Sequence, residues 1–189
     1  MLSEDSLTNP EEIWYTDGSG FALDGKRRSG DAVVSNFETT EAKPLPPDTS
    51  AQLAELLALT WALELGKGKR VAIYIDSKYA FLVLHAHAAI WQERGNLTTR
   101  GSLIKYANQI LRVLEAVHLP SEGSTSHCKR YQKGSTEVVW GNQAADQAAK
   151  RAALNNDLIG VATLVPQTNL PKTPSYTEGE TLKAKSEGF

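Results

Sequence analysis

Cysteine is nearly absent from this chain of 189 residues, and the lone Cys128 excludes an internal disulfide and leaves no cysteine cluster for zinc. A reducing, intracellular setting is expected. No apolar run approaches the length of a membrane span, and the acidic, polar first ten residues lack the basic-then-apolar order of a secretory leader. No membrane is expected among the partners. Net charge is also scarce, at -2, which argues weakly against a nucleic-acid binder.

The average conceals a segregation of charge. Residues 1–12 hold Glu4, Asp5, Glu11 and Glu12 without a base, whereas residues 127–133 hold Lys129, Arg130 and Lys133 without an acid. Between residues 92 and 112, Arg94, Arg100, Lys105 and Arg112 face Glu93 alone. Each basic segment reads equally as solvated surface or as a phosphate-tracking element.

With 41% hydrophobic residues, the chain can form one compact domain with looser sequence at its ends. An acidic flexible leader is expected over residues 1–11, a domain over 12–154 and an extended tail over 155–189, where proline recurs and apolar periodicity dies. Strands are expected over residues 13–16, ending at Asp17 with Gly18-Ser19-Gly20 as the break, over 32–35 and over 39–43. Ser50 can cap a leucine-rich helix to residue 65, and residues 71–75 form a β-branched central strand. Helices follow over 78–94 and 104–117, then a short strand over 124–128. Asn142 can cap a last helix, which would put Asp146 one turn in. The order suggests an α/β fold, a mixed sheet flanked by helices.

Four acids stand out: Asp17, Glu55, Asp76 and Asp146. Each has an ordinary structural reading, Asp17 as a turn residue, Asp76 as a helix cap, Asp146 as an acid favoured near a helix N-terminus. Glu55 resists such a reading, because it lies mid-helix among leucines and its carboxylate needs a partner from elsewhere. If the strands ending at Asp17 and Asp76 pair, both acids emerge at one edge, and helices can bring Glu55 and Asp146 over it. Hard oxygen ligands of this kind suit Mg²⁺ or Mn²⁺ better than zinc. Two such ions held by shared carboxylates are the usual apparatus for in-line displacement at phosphorus, so phosphodiester hydrolysis is the expected reaction class.

The blocks Trp14-Tyr15-Thr16-Asp17-Gly18-Ser19, Thr49-Ser50-Ala51-Gln52-Leu53-Ala54-Glu55-Leu56, Tyr74-Ile75-Asp76-Ser77-Lys78-Tyr79-Ala80-Phe81 and Gly141-Asn142-Gln143-Ala144-Ala145-Asp146 resemble the ribonuclease H domain of gammaretroviral and endogenous-retroviral polymerase polyproteins. The resemblance covers residues 12–153 in order. It implies a ribonuclease H-like five-stranded mixed sheet, and it implies that Asp17, Glu55, Asp76 and Asp146 bind two Mg²⁺ ions, replaceable by Mn²⁺, to cut the RNA strand of an RNA–DNA hybrid. It further implies that Ser19, Gln52, Tyr79 and Asn142 hold the hybrid backbone, the 2′-hydroxyls marking the RNA strand. Residues 85–112, with Arg94 and Lys105, resemble the family's basic protruding helix and handle. Polymerase and integrase regions of a parent polyprotein are the implied partners, the tail resembling the junction toward integrase.

Several positions depart from the family pattern. The motif His-Cys-Pro-Gly-His-Gln-Lys-Gly appears as His127-Cys128-Lys129-Arg130-Tyr131-Gln132-Lys133-Gly134, so Tyr131 stands where a turnover-assisting histidine is usual. Asp31 replaces a small apolar residue, and Ile75 a threonine. His127, His85 and His87 read as packing residues and not as metal ligands. The rival to an active nuclease is a host-retained copy that binds nucleic acid or protein without cutting, and a third reading is a structural spacer.

Overall fold

Alternating and β-branched runs become strands, and the leucine-rich run becomes a buried helix. In chain order the elements are β1 (Leu2–Ser3), β2 (Glu12–Leu23), β3 (Lys26–Ser35), β4 (Glu38–Leu45), α1 (Ala51–Leu65), β5 (Arg70–Ile75), α2 (Lys78–Leu82), a π-helical turn (Val83–His87), α3 (Ala88–Glu93), α4 (Ala107–Ala116), β6 (Glu122–His127) and α5 (Glu137–Leu154). The structure, a computed structural model, describes residues 2–155 apart from 36, 37, 96, 97, 99 and 130–132. Arg130, Tyr131 and the tail beyond Asn155 lie outside the described residues.

The sheet runs β1-β6-β5-β2-β3-β4. Strands β2, β3 and β4 form an antiparallel meander, while β1, β6, β5 and β2 pair in parallel. It has six strands, not the expected five, because the leader contributes one. Leu2 pairs with Gly123 and Ser3 with Ser124, and the Leu2 side chain occupies the space a Cβ on Gly123 would need. Further along, the Arg70 guanidinium donates to the carbonyls of Thr8 and Asn9, and the Arg70 amide donates to the Glu11 carboxylate at 2.7 Å. A half-buried leucine and one arginine thus connect residues 2–11 to β5 and β6.

Strand β2 also runs past its expected end. Gly18 and Gly20 do not break it, since they are places where α1 approaches the backbone, and the chain reverses at Asp24-Gly25, both with positive φ (50° and 72°). Helix α1 begins where Ser50 Oγ accepts the Leu53 amide and ends at Gly66. Its Leu56, Leu59 and Leu63 are fully buried against Trp14, Val71, Ile73 and Ile75 on one face of the sheet. The alanine-rich α5 covers the other face, with Ala145, Ala148 and Ala149 against Tyr15, Ala32 and Val34.

Helix α5 starts earlier than expected. Thr136, not Asn142, is its cap, with Thr136 Oγ1 accepting the Val139 amide, and Asn142 is a buried interior residue. Gly141 is tolerated mid-helix because the Tyr15 ring lies where its side chain would be. The expected helix over 78–94 is interrupted by the wide turn at Val83–His87, where the His85 ring bonds the Thr125 hydroxyl and packs 4.5 Å from Phe81. Among the described residues no helix is long and apolar enough to cross a membrane.

Candidate metal centre

The parallel pairing of β2 and β5 puts Thr16 beside Ile75, so Asp17, inside β2 and opposite Ala32, and Asp76, just past the end of β5, lie side by side. Helix α1 crosses β2 at Gly18 and carries Glu55 to the same place. The Gly18 amide donates to Glu55 Oε2 at 3.2 Å, which orients the carboxylate that the sequence left without a local partner. One oxygen from each of Asp17, Glu55 and Asp76 lies within 4.8 Å of the others, and all three residues are buried. Three carboxylates so close repel one another unless a cation or protons neutralise them. All the ligand atoms are hard oxygens, the donor set that Mg²⁺ and Mn²⁺ favour.

Asp146 stands apart from this trio. It lies in the interior of α5, not in its first turn, so the N-terminal end of the helix does not account for it. It lines a cavity of about 410 Å³ together with Asp17, Ser19 and Phe21, and Lys150 Nζ lies 2.7 Å from its Oδ2. A second cavity of about 310 Å³ is lined by Gln52, Glu55, Asp76, Ser77 and Lys78. The three clustered acids thus connect two open cavities, and Ala51 at the start of α1 borders both.

The remaining residues singled out from the sequence divide by position. Ser19 lines the first cavity and Gln52 the second, while Asn142 is buried on α5 one turn before Asp146. Tyr79 borders neither of these cavities; it packs half-buried against the main core, where burial, with Tyr106 adding, raises its hydroxyl pKa. Arg94, Lys105 and Lys129 are exposed, with Lys105 Nζ 4.9 Å over the Tyr106 ring. His127 packs with its ring 5.7 Å from that of Phe81. Lys78 and Lys150 were missed from the sequence. The i,i+4 spacing of Asp146 and Lys150 was the available signal.

Two buried groups register the local field. Burial pushes the Cys128 thiol up to about 12, and the carboxylates of Asp76, Asp17 and Glu55 add to the shift, so this cysteine is a packed, unreactive thiol. Asp31, directly opposite Gly18 in the β2–β3 ladder and opposite Lys43 in the β3–β4 ladder, is 2% exposed. Neither of its carboxylate oxygens has a hydrogen-bond partner. Burial raises its pKa to about 6, against the opposing pull of the Lys43 cation and of nearby backbone amides.

The RNase H family profile matches residues 9–154. The chain is 50% identical over 169 residues to the Gag-Pol polyprotein of Gibbon ape leukemia virus, covering 89% of this chain and 10% of that polyprotein. It is 42% identical over 190 residues to the Pol polyprotein of Radiation murine leukemia virus (strain Kaplan), covering 99% of this chain and 32% of that one. The chain therefore spans about a tenth to a third of the length of these relatives. In three dimensions it resembles the PFV RNase H domain, with a TM-score of 0.66 at 21% identity over 78% of this chain and 96% of that one. A foamy viral protease-reverse transcriptase in complex with RNA/DNA hybrid gives 0.65 at 20% identity, over 81% of this chain and 22% of that one.

Proposed function

This chain belongs to the RNase H family, and we propose that it is a metal-dependent endonuclease that hydrolyses the RNA strand of RNA–DNA hybrids. The observation that carries this reading is the convergence of Asp17, Glu55 and Asp76 within 4.8 Å, with Asp146 on the cavity wall that Asp17 shares. Asp17, Glu55 and Asp76 would hold one divalent ion, and Asp17 with Asp146 a second; Mg²⁺ is the natural ion and Mn²⁺ a substitute. Bound there, such ions supply Lewis acidity and acidify water for attack at phosphorus. The protein's own groups do the rest. The Gly18 amide orients the Glu55 carboxylate, the interior of β2 holds the buried Asp17 and the end of β5 the buried Asp76, and the cavities on either side leave room for a phosphodiester.

Substrate contacts follow from position. Ser19 and Gln52 lie where a sugar-phosphate backbone crossing the acids would pass, and exposed Arg94, Lys105 and Lys129 would meet phosphates further along. In a parent polyprotein the chain would work beside polymerase and integrase regions inside the cell or virion, as the Gag-Pol relatives suggest. The test is cleavage of a labelled RNA–DNA hybrid with Mg²⁺ and with Mn²⁺. RNA-strand products absent from the Asp76→Asn variant are expected. Hybrid binding without cleavage in either ion would favour the binding-module reading, which rests on Tyr131 in place of histidine.

A further inference from the structure

We propose that Lys150 is the built-in counter-cation of Asp146, which must give up that carboxylate when a second divalent ion arrives, and that it thereby sets the affinity of this ion. The inference rests on the metal reading of Asp17 and Asp146 given above. Its basis is the asymmetry of the four acids. Asp17, Glu55 and Asp76 converge within 4.8 Å, whereas Asp146 is outside that group and its Oδ2 is 2.7 Å from Lys150 Nζ. Asp146 and Lys150 line the same cavity as Asp17, so the ammonium is bound to the carboxylate at the cavity that an ion shared with Asp17 would enter.

An ammonium and a hard divalent ion compete for the same oxygen lone pairs. An ammonium is a compact monovalent charge that donates only, and at 2.7 Å it stands farther from the carboxylate oxygen than a divalent ion at about 2.1 Å would, so the metal is the stronger claimant. Two cations sharing one carboxylate repel strongly at such separations. Lys150 can move away. Its side chain is 47% exposed and its four-carbon stem is flexible, so the charge can swing into solvent, whereas Asp146 is fixed on a helix packed against the sheet. In the metal-free protein the same pair offsets the repulsion between Asp146 and Asp17 across the cavity that both line. The i,i+4 spacing holds the two partners on one face of α5.

The test counts bound Mn²⁺ by paramagnetic resonance in the parent, Lys150→Met, Lys150→Gln and Lys150→Arg. The expected result is an unchanged tighter ion in all four, and a weaker ion bound about five-fold more tightly in the two uncharged variants, with Lys150→Arg near the parent. Melting gives a second readout. Without metal the uncharged variants should melt below the parent, and with saturating Mn²⁺ that deficit should vanish or reverse; a merely structural ion pair would lower both equally. An unchanged or weakened second ion, or equal melting deficits with and without metal, overturns the proposal. Loss of the tighter ion from the parent itself would instead overturn the metal reading on which the proposal stands.

Discussion

Gly18 and Glu55 are held at contact distance by a hydrogen bond and by the lack of a side chain. The Gly18 amide donates to Glu55 Oε2 at 3.2 Å, and a Cβ on Gly18 would lie 2.2 Å from the Glu55 backbone nitrogen. Strand β2 and helix α1 therefore meet backbone to backbone at the point where the acids gather. Gly18→Ala should force α1 outward, costing about 3 kcal/mol by the usual scale of overpacking, and should weaken divalent-ion binding as Glu55 is displaced. Urea unfolding together with an Mn²⁺ titration checks both. A variant as stable as the parent, with equal ion affinity, would show that the contact is slack.

Clustered acids should make the metal-free protein less stable than its ion-bound form. Melting temperature should rise with Mg²⁺ or Mn²⁺ concentration, because an ion bound only to the folded state stabilises it by mass action. Asp76→Asn should abolish cleavage and most of this rise while melting at or above the parent without metal, since one repelling charge is gone. If the variant keeps cutting, Asp76 is misassigned.

Asp31 gives the chain a pH-dependent stability. Its folded pKa, about 6, lies above the ordinary value of 3.8, so its contribution is fully present below about pH 4 and is lost as pH rises through 6. Two units at about 1.4 kcal/mol each correspond to about 3 kcal/mol lost by neutral pH. Burial is the main cause of the upward shift and the Glu41 carboxylate adds to it, while Lys43 and the backbone amides of residues 31 and 43 favour the charged form and limit it. Asp31→Ala should gain stability relative to the parent as pH rises from about 3.5 to 7.5, the two profiles diverging between about pH 4 and 6. Parallel pH profiles for the two proteins in urea unfolding would rule this out.

Hybrid affinity should fall steeply with salt, because exposed Arg94, Lys105 and Lys129 would displace condensed counterions from phosphates. Lys105→Glu should weaken binding for any hybrid sequence and flatten the slope of log affinity against log salt. An unaltered slope would mark Lys105 as ordinary solvated surface.

Tyr131 is expected to bear on turnover and not on the chemical step. A phenol with an ordinary pKa near 10 stays neutral where an imidazole near 6.5 exchanges protons, so Tyr131→His should raise steady-state cleavage while leaving hybrid affinity unchanged. Slow cleavage favouring Mn²⁺ over Mg²⁺ is expected of the natural chain. Comparing single- and multiple-turnover rates decides it: equal rates in both regimes for the two proteins would remove this loop from consideration.

The sequence by itself determined whatever depends on neighbours along the chain. Ser50 caps α1 as its spacing required, the β-branched run at β5 is a central strand, and the leucines of α1 are buried because they ring the helix. The acids were legible because each follows a recognisable local pattern. Tertiary structure decided what depends on a partner far away in sequence. Glycine signals a turn or a close approach equally well, and only α1 and the Tyr15 ring show that Gly18 and Gly141 are the latter, so β2 runs on and α5 starts early. The leader became a strand because β6 offered it an open edge at Gly123. The separation of Asp146 from the other three acids likewise followed from where α5 lies on the sheet, whereas its pairing with Lys150 is a local i,i+4 relationship that the sequence already carried.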